Sequence, residues 1–197
     1  RAGTIDEAVS AAQDIGYPVV LKALVGETMH KTELGLVRLN LRSADDVSSA
    51  ATALLERAAD LAPDDKPQLL IQEMAAPVAE LLIGARIDAE FGPVIVTGGG
   101  GVNVELFKDV SIRLAPVSVE TAIAMIGETR TGRLLDGWRG KPKGDVQAAA
   151  EAISALSRFA SDFAGDISEV EINPLAVLEQ GKGCRSLDCM IVRSKQG

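Results

Sequence analysis

A chain of 197 residues with 47% hydrophobic content is long enough to form one domain or two small lobes with a buried core. The formal net charge of −8 and the aromatic share of 3% argue against nucleic acid as the main partner, because phosphates need a basic surplus and bases need rings to stack on. The sequence has neither an apolar run long enough to cross a bilayer nor a signal-peptide pattern, so we expect no membrane association.

The first elements of the chain are a helix and a strand. Thr4 to Glu7 has the pattern of a capping box, and apolar residues then recur at helical spacing until Gly16. The stretch Tyr17–Leu24 is β-branched and apolar, which predicts a strand with Lys22 as its one charge. Two interpretations of Lys22 stay open here: a solvated lysine on an edge strand, or an ammonium positioned to contact phosphate.

A polar loop, residues 26–35, separates this strand from a second one at Leu36–Leu41, so the pair predicts a hairpin with a long tip. Long loops between strands often serve a function. The loop contains His30, the one histidine of the chain, beside Lys31. A single histidine can be structural or simply solvated, but a polar tip flanked by glycines is a poor place for a core histidine.

A second helix is predicted from Ser43, followed by a meander of antiparallel strands. A glycine run, Gly98–Gly101, ends the last of these strands and suits either a flexible loop or the close approach of an anion. Arg113 then offers a planar fork that suits phosphate, with a solvated surface charge as the alternative. The strands are predicted at 69–74, 80–88 and 92–98.

A short helix is predicted at Ser118–Ile126, and a longer one begins at Asp145. Between them, 130–143 reads as a basic loop that contains Trp138. This loop is either a solvated linker or a mobile lid or docking surface. The longer helix places apolar residues at core spacing, namely Ala149, Ile153, Leu156, Phe159 and Phe163.

The stretch Glu169–Leu175 carries the strongest chemical signal. Alternation places Glu169, Glu171 and Asn173 on one face of an extended segment, with Val170 and Ile172 on the other. A glycine-rich turn at 180–183 predicts a hairpin that brings Asp188 opposite Asn173. Oxygen ligands of this kind suit Mg²⁺, and magnesium at a protein carboxylate usually carries phosphates.

The two cysteines, Cys184 and Cys189, lie in this late strand pair. Their five-residue offset without a third cysteine is a poor metal signature. We therefore expect free buried thiols in a reducing compartment, and a cytoplasmic protein.

Together these stretches resemble the ATP-grasp domain of acyl-CoA synthetases of the NDP-forming (ADP-forming) type, and more distantly the β subunit of succinate–CoA ligase. The resemblance covers nearly the whole chain and implies an α+β fold, the ATP-grasp fold, with two lobes of antiparallel sheet and flanking helices that hold ATP between the sheets. It divides the chain into a first lobe, residues 1–74, and a second, residues 75–197. The matching motifs are 16–22, 30–35, 72–74, 80–84, the glycine run, 108–110 with 113–116, and 171–175.

The resemblance also implies site residues, with ATP or ADP and Mg²⁺ as cofactors. His30 matches the second histidine of a phosphoryl relay, and Arg113 would join it in catalysis by holding phosphate. The implied nucleotide contacts are Lys22 at the α/β phosphates, Glu73 and Met74 at the adenine hinge, Glu80 near the ribose, and Gly99, Gly100 and Gly101 at the phosphates. The implied metal ligands are Asn173 and Asp188.

The implied activity is that of an acid–thiol ligase, in which a phosphoryl group moves between ATP/ADP and a phosphohistidine so that acyl-CoA and ATP interconvert with acid and CoA. The partners would be the CoA-binding and ligase domains, fused or as a separate subunit, in a homo- or hetero-oligomer. The segment that usually precedes Thr4 and those partner domains are missing from the 197 residues. We therefore expect a fragment or one subunit that is N-terminally truncated and inactive alone.

Two alternatives stay open. A succinate–CoA ligase β-like subunit usually has a glycine-rich loop where this chain has His30 and Lys31, which counts against it. A non-catalytic nucleotide-binding regulatory module is disfavoured by the intact set of Lys22, His30, Asn173 and Asp188.

Overall fold

The computed structural model describes residues 1–25, 34–64, 66–101 and 109–194 of the chain. These residues form two compact units, Arg1–Met74 and Ala75–Gly197. Within the described residues no helix is long and apolar enough to cross a membrane.

The first unit consists of two helices and three strands: α1 (Ile5–Ile15), β1 (Val19–Leu24), β2 (Val37–Leu41), α2 (Ala44–Leu61) and β3 (Gln68–Glu73). The strands form an antiparallel sheet in the order β2-β1-β3. The hydroxyl of Thr4 accepts a hydrogen bond from the Glu7 N–H and caps α1, and Ser43 caps α2 through the Asp46 N–H.

The core of the first unit lies on one face of this sheet. Val19, Leu21 and Ala23 alternate along β1 and pack in one cluster with residues of both helices, such as Leu54. Lys22 has the opposite parity and therefore lies on the face away from that cluster.

The second unit contains β4 (Ala79–Asp88), β5 (Gly92–Gly99), β6 (Val110–Leu114), α3 (Val119–Gly127), α4 (Arg130–Leu135), α5 (Val146–Asp162), β7 (Ile167–Val177), β8 (Cys184–Ser186) and β9 (Cys189–Arg193). Its sheet is antiparallel, in the order β6-β5-β4-β7. Both β8 and β9 pair with β7, the first near its end and the second along its earlier part.

The core of the second unit also lies on one face of its sheet. Leu81, Ile83 and Ile95 are fully buried there with Met125 of α3 and Ile153 of α5. Because side chains alternate along a strand, Glu80 of β4 and Glu171 of β7 belong to the opposite face. The face of the sheet that packs against the helices therefore contributes the core. The opposite face carries Glu80 and Glu171, two polar residues that the sequence pattern highlighted.

The prediction of a loop over 130–143 was wrong for its first part. Residues Arg130–Leu135 form α4, and a 3₁₀ turn follows at Trp138–Gly140. The Thr129 hydroxyl caps α4 by accepting from the Gly132 N–H at 3.0 Å, and Leu135 is fully buried. The glycines and basic residues of this segment favour a loop, so the sequence pattern did not predict a capped helix that ends in a core residue.

Three other expectations needed correction. The strand at Gln68–Glu73 pairs with β1 rather than with β4, so the meander is formed by β4, β5 and β6. Phe163 is partly exposed and stacks on Phe159, with ring centroids 4.8 Å apart, while small residues such as Ser157 and Ala160 are buried on α5. Both cysteines are free, but Cys189 is exposed rather than buried.

Candidate functional site

The end of β5 forms a tight glycine turn. Gly100 donates its N–H to the Glu80 carbonyl at 2.9 Å. A Cβ atom at position 100 would lie 2.7 Å from the carbonyl oxygen of Leu81, a distance that real side chains do not adopt. Gly101 has a φ of +63°, in the left-handed region. The backbone therefore requires glycine at both positions.

This turn contacts two polar side chains of the open face. The Asn173 amide oxygen accepts a hydrogen bond from the Gly101 N–H at 2.9 Å. A Cβ at position 101 would lie 2.8 Å from Oε2 of Glu80, so that carboxylate lies beside the turn. Glu80 is half-buried, and this burial raises the pKa of its carboxyl group. Three predicted site residues, Glu80, Gly101 and Asn173, thus lie together.

The hairpin brings Asp188 next to Asn173, as the sequence predicted. The Asn173 N–H donates to the Asp188 carbonyl at 3.2 Å, and the Leu187 N–H donates to the Pro174 carbonyl at 3.0 Å. The Asp188 Oδ1 accepts from the Cys189 N–H at 3.0 Å. Asn173 and Asp188 are therefore neighbouring residues, on backbones that are hydrogen-bonded to each other.

An amide oxygen and a carboxylate are chemically suitable ligands for a magnesium ion that carries phosphate. Mg²⁺ commonly takes one or two protein oxygens and completes its octahedron with substrate phosphates and water. Among the described residues no group of three or more His, Cys, Asp or Glu could hold a metal without such help. The glycine turn next to Asn173 is packed against the β4 backbone and the Glu80 carboxylate, and its Gly100 and Gly101 N–H groups donate within the protein.

The alternation predicted for β7 is present. Val170 is buried and Ile172 packs against the core, whereas Glu171 pairs with Gly84 and approaches it from the other face. Glu169 is partly exposed and pairs with Arg86. The acidic and amide groups of this stretch therefore do not point into the core.

Three predicted nucleotide contacts belong to the first unit. Lys22 is half-buried on β1 between Val37 and Leu70. Because β1 is the central strand of its sheet, the edge-strand interpretation of Lys22 is excluded. Glu73 ends β3, and the Met74 N–H donates to the Pro18 carbonyl at 3.1 Å.

Arg113 is not brought to the glycine turn. It pairs with the core residue Ile95, so its side chain lies on the helix-covered face, where its guanidinium binds Glu128 just beyond α3. Hydrogen bonds from Ser111 and Arg113 lower the pKa of Glu128. The contact of Arg113 with phosphate stays a prediction. His30 lies outside the described residues.

The network of Ser111, Glu128 and Arg113 was not predicted from the sequence. Its one sequence signal was a serine and an arginine at alternate positions of an apolar strand, Val110–Leu114. That pattern predicts a shared face but does not name a partner, because Glu128 lies 15 residues further along the chain.

Comparison with known proteins places the chain in a family. The family model described as the ATP-grasp domain matches residues 1–192. A 4-hydroxybutyrate–CoA ligase [ADP-forming] of Nitrosopumilus maritimus is 42% identical over 94% of this chain, which covers 26% of that protein. The acetate–CoA ligase [ADP-forming] II subunit beta of Pyrococcus furiosus is 33% identical over 97% of this chain, which covers 81% of that subunit. The chain thus spans about a quarter of the first relative and most of the second.

A solved structure is similar over nearly the whole chain. It is the dinucleotide forming acetyl-coenzyme A synthetase 1 of Ca. Korarchaeum cryptofilum, in complex with coenzyme A, Ca-AMPCP and HgCl+. Its TM-score is 0.87 at 37% identity, over 98% of this chain and 83% of that one. A second structure of that protein, with coenzyme A and Mg-AMPPCP, has its phosphohistidine segment pointing towards the nucleotide binding site and a TM-score of 0.79 at 36% identity, over 97% and 83% of the two chains.

The fold is therefore the ATP-grasp fold, with helices and antiparallel sheets as expected. The resemblance to ADP-forming acyl-CoA ligases is confirmed, while a succinate–CoA ligase subunit beta of Natronomonas pharaonis is more distant, at 30% identity and 46% of that subunit's length. From the family match and the relatives' coverage, the chain belongs to the ATP-grasp domain family and groups there with the ATP-grasp modules of ADP-forming acyl-CoA ligases.

Proposed function

We propose that this chain is the nucleotide-binding module of an ADP-forming acid–CoA ligase, in which a phosphoryl group moves between ATP/ADP and a phosphohistidine relay. The observation that carries the proposal is that Asn173 and Glu80 both contact the glycine turn at Gly100 and Gly101, while the Asp188 carbonyl accepts a hydrogen bond from the Asn173 N–H. Amide and carboxylate oxygens beside a glycine turn suit a metal ion that carries phosphate.

The metal and phosphate contacts are assigned to the second unit. Asn173 and Asp188 would hold Mg²⁺ through their side-chain oxygens. When bound, the ion supplies positive charge that offsets the negative charge developing on the transferred phosphoryl group. Gly99, Gly100 and Gly101 would lie at the phosphates. Because the Gly100 N–H donates to the Glu80 carbonyl and the Gly101 N–H donates to the Asn173 amide oxygen, a phosphate that binds these groups would share or replace those hydrogen bonds.

The remaining nucleotide contacts follow from position and chemistry. Lys22 offers an ammonium from a central strand, which suits the α and β phosphates. Glu73 and Met74 lie where β3 ends, and we assign them to the adenine. Glu80 is half-buried beside the turn, and its carboxylate can accept hydrogen bonds from ribose hydroxyls.

Catalysis is assigned to His30, with Arg113 as a phosphate contact. A neutral imidazole nitrogen would attack the γ-phosphorus, forming an N–P bond as the P–O bond to ADP breaks and ADP leaves with the electron pair. The reverse step returns the phosphoryl group to ADP. For Arg113 to reach a phosphate, its guanidinium must leave Glu128.

The whole reaction needs groups that these residues do not supply. The relatives include both β subunits and much longer single chains. We therefore assign acid and CoA binding to CoA-binding and ligase domains, fused to this chain or on a separate subunit.

The proposal is tested by phosphoryl transfer in the complete enzyme. With γ-labelled ATP and Mg²⁺, we expect an acid-labile, base-stable phosphoryl adduct, as a phosphohistidine requires. His30→Ala should leave ATP binding nearly unchanged and abolish turnover, because it removes the nucleophile and no proposed nucleotide contact.

Turnover of His30→Ala at the wild-type rate would remove His30 from the relay. An enzyme that binds Mg-ATP but forms no adduct under any condition would favour the non-catalytic nucleotide-binding module instead.

A further inference from the structure

One basic segment stands out on this acidic protein. Residues 130–143 contain five cations and one acid, whereas the whole chain has a formal net charge of −8. Five of the exposed side chains of this segment, which we name the Trp138 surface, are Arg133, Leu134, Trp138, Arg139 and Lys141. None of them has a role in the proposed nucleotide site.

The Trp138 surface combines apolar area with charge. Trp138 is 53% exposed and Leu134 is 43% exposed. The Arg139 guanidinium carbon lies 5.8 Å from the Trp138 ring centroid, within the range of a cation–π contact. Tryptophan and arginine are the residues most enriched at the energetic centres of protein interfaces. An exposed tryptophan with cations nearby is therefore typical of a docking surface.

This surface is fixed to the core of the second unit. Leu135 is fully buried, and its carbonyl accepts from the Gly144 N–H at 2.8 Å. The Lys143 carbonyl accepts from the Gln180 N–H at 2.9 Å, which ties the end of the segment to the hairpin turn. A fixed surface loses little conformational entropy on binding, which favours affinity.

The tip of the surface has an uncommon backbone. Arg139 has a φ of 54°, in the left-handed region, between Gly137 and Gly140, which also have positive φ. Such a conformation costs free energy in a residue with a Cβ. It places the Arg139 side chain beside the Trp138 ring, where both are exposed.

The one acid of the segment is already paired. Lys143 Nζ lies 2.8 Å from Asp136 Oδ1, and this contact lowers the pKa of the Asp136 carboxyl. An open pocket of about 250 Å³ adjoins this pair, lined by Asp136, Lys143 and Asp145 as well as by Leu135 and Val146. The cations of the Trp138 surface do not line this pocket, and all three of them are exposed.

We propose that the Trp138 surface docks an acidic protein segment with an apolar side chain, carried by the enzyme outside these 197 residues. The proposal rests on the proposed function, which requires CoA-binding and ligase portions. Nucleic acid fits poorly, because the net charge of −8 repels a polyanion. A second copy fits poorly too, because a two-fold contact would set these cations against each other.

The test is site-specific photo-crosslinking in the complete enzyme. A benzophenone amino acid replaces Leu134, and the matched control carries it at Phe91, an exposed aromatic position beside Glu90. We expect Leu134 to crosslink to an Asp/Glu-rich peptide of the CoA-binding or ligase portion, and Phe91 to show no such product. Arg133→Glu or Trp138→Ser should remove most of the crosslink, whereas Arg193→Glu, an exposed reversal elsewhere, should not.

Four results would overturn the proposal: no crosslink above the Phe91 control, a crosslink to residues 1–197 of another copy, a crosslink to nucleic acid, or a crosslink to a neutral or basic peptide. Titration of the same preparations with Mg-ATP separates this result from the proposed function. Crosslinking without ATP binding would support the docking surface and contradict the nucleotide assignment. ATP binding without crosslinking would support the nucleotide assignment and contradict the docking surface.

Discussion

The single residue Asn173 connects the glycine turn of the second unit with the hairpin that carries Asp188. Its side-chain oxygen holds the Gly101 N–H, and its backbone N–H is bonded to Asp188. An amide oxygen has two lone pairs, so it can accept the Gly101 hydrogen bond and still face a cation. Substitutions here should therefore affect metal-dependent binding more than folding.

We expect Asn173→Ala and Asp188→Ala each to weaken Mg-nucleotide binding by about tenfold or more, since metal sites commonly lose 10–100-fold in affinity even when an outer partner is removed. Metal-free nucleotide binding should change much less. Titration calorimetry of the variants with ATP, with and without Mg²⁺, measures both quantities.

The control for this pair is Asp166→Ala, which removes an exposed carboxylate at the start of β7. Asn173→Asp keeps an acceptor for Gly101 and should retain binding better than Asn173→Ala. If both alanine variants bind Mg-ATP as tightly as the parent chain, the metal assignment is wrong.

The sequence predicted the neighbourhood of Asn173 and Asp188, because a strand, a glycine-rich turn and a second strand determine which residues face each other. It did not predict that Gly101 would bind Asn173, since these residues are 72 positions apart, one in the turn after β5 and the other in β7. The pairing of Arg113 with Glu128 was missed for a similar reason, because it depends on how α3 packs against β6.

At the scale of elements, Asp145 links a helix to a hairpin. Its carboxylate caps α5 by accepting from the Ala148 N–H at 3.2 Å, and it also accepts from the Gly181 and Gly183 N–H groups at 3.0 and 2.9 Å. These donors, Gly183 first, lower the pKa of the Asp145 carboxyl. One carboxylate thus positions the turn that follows β7.

We expect Asp145→Ala to destabilise the chain by about 1–2 kcal/mol, the usual cost of losing a helix cap with further hydrogen bonds. This corresponds to a fall in Tm of about 2–8 °C for a chain of this size. Because the folded pKa is depressed, the stabilisation is present above the unfolded value and is lost as pH falls through the folded pKa. Thermal melts at about pH 7 and about pH 3 measure the difference.

The control variant is Asp166→Ala, which removes an exposed carboxylate and should leave Tm nearly unchanged. A difference between parent and Asp145→Ala that stays constant between the two pH values would contradict the assigned role of the ionised carboxylate.

The close packing of α4 gives a second prediction at this scale. A Cβ at Gly132 would overlap the carbonyl oxygen of Ile126, whereas a Cβ at Gly127 meets nothing within 4 Å. Alanine normally favours a helix over glycine by about 1 kcal/mol. We therefore expect Gly132→Ala to lower Tm, at a net cost of about 1–3 kcal/mol from the overlap, and Gly127→Ala to leave it unchanged or raise it. Equal effects of the two substitutions in thermal melts would disprove the contact.

The helix α4 also shows why some elements could not be predicted. Residues 130–143 contain three glycines, a proline and five cations, which together favour a loop in any local interpretation. The signals for a helix were the Thr129 cap and the buried Leu135, and the second exists only once α3 and the sheet are in place. Helices with periodic apolar residues and capping side chains, α1 and α2, were predicted within a residue or two.

At the scale of the whole molecule, the chain has two units, each with its own sheet and core. The residues assigned to the nucleotide come from both units: Lys22, Glu73 and Met74 from the first, and Glu80, the glycine turn, Asn173 and Asp188 from the second. If the assignment is correct, nucleotide binding should raise the unfolding free energy of the chain, since the ligand binds the native state.

The assigned nucleotide and metal contacts all depend on metal-dependent nucleotide binding by this chain. Calorimetric titration of the chain with ATP and with ADP, each with and without Mg²⁺, measures this binding. We predict saturable one-site binding that is clearly tighter with Mg²⁺. A folded chain that binds neither nucleotide in either condition, or binds both equally well without the metal, would show that the site assignment is wrong.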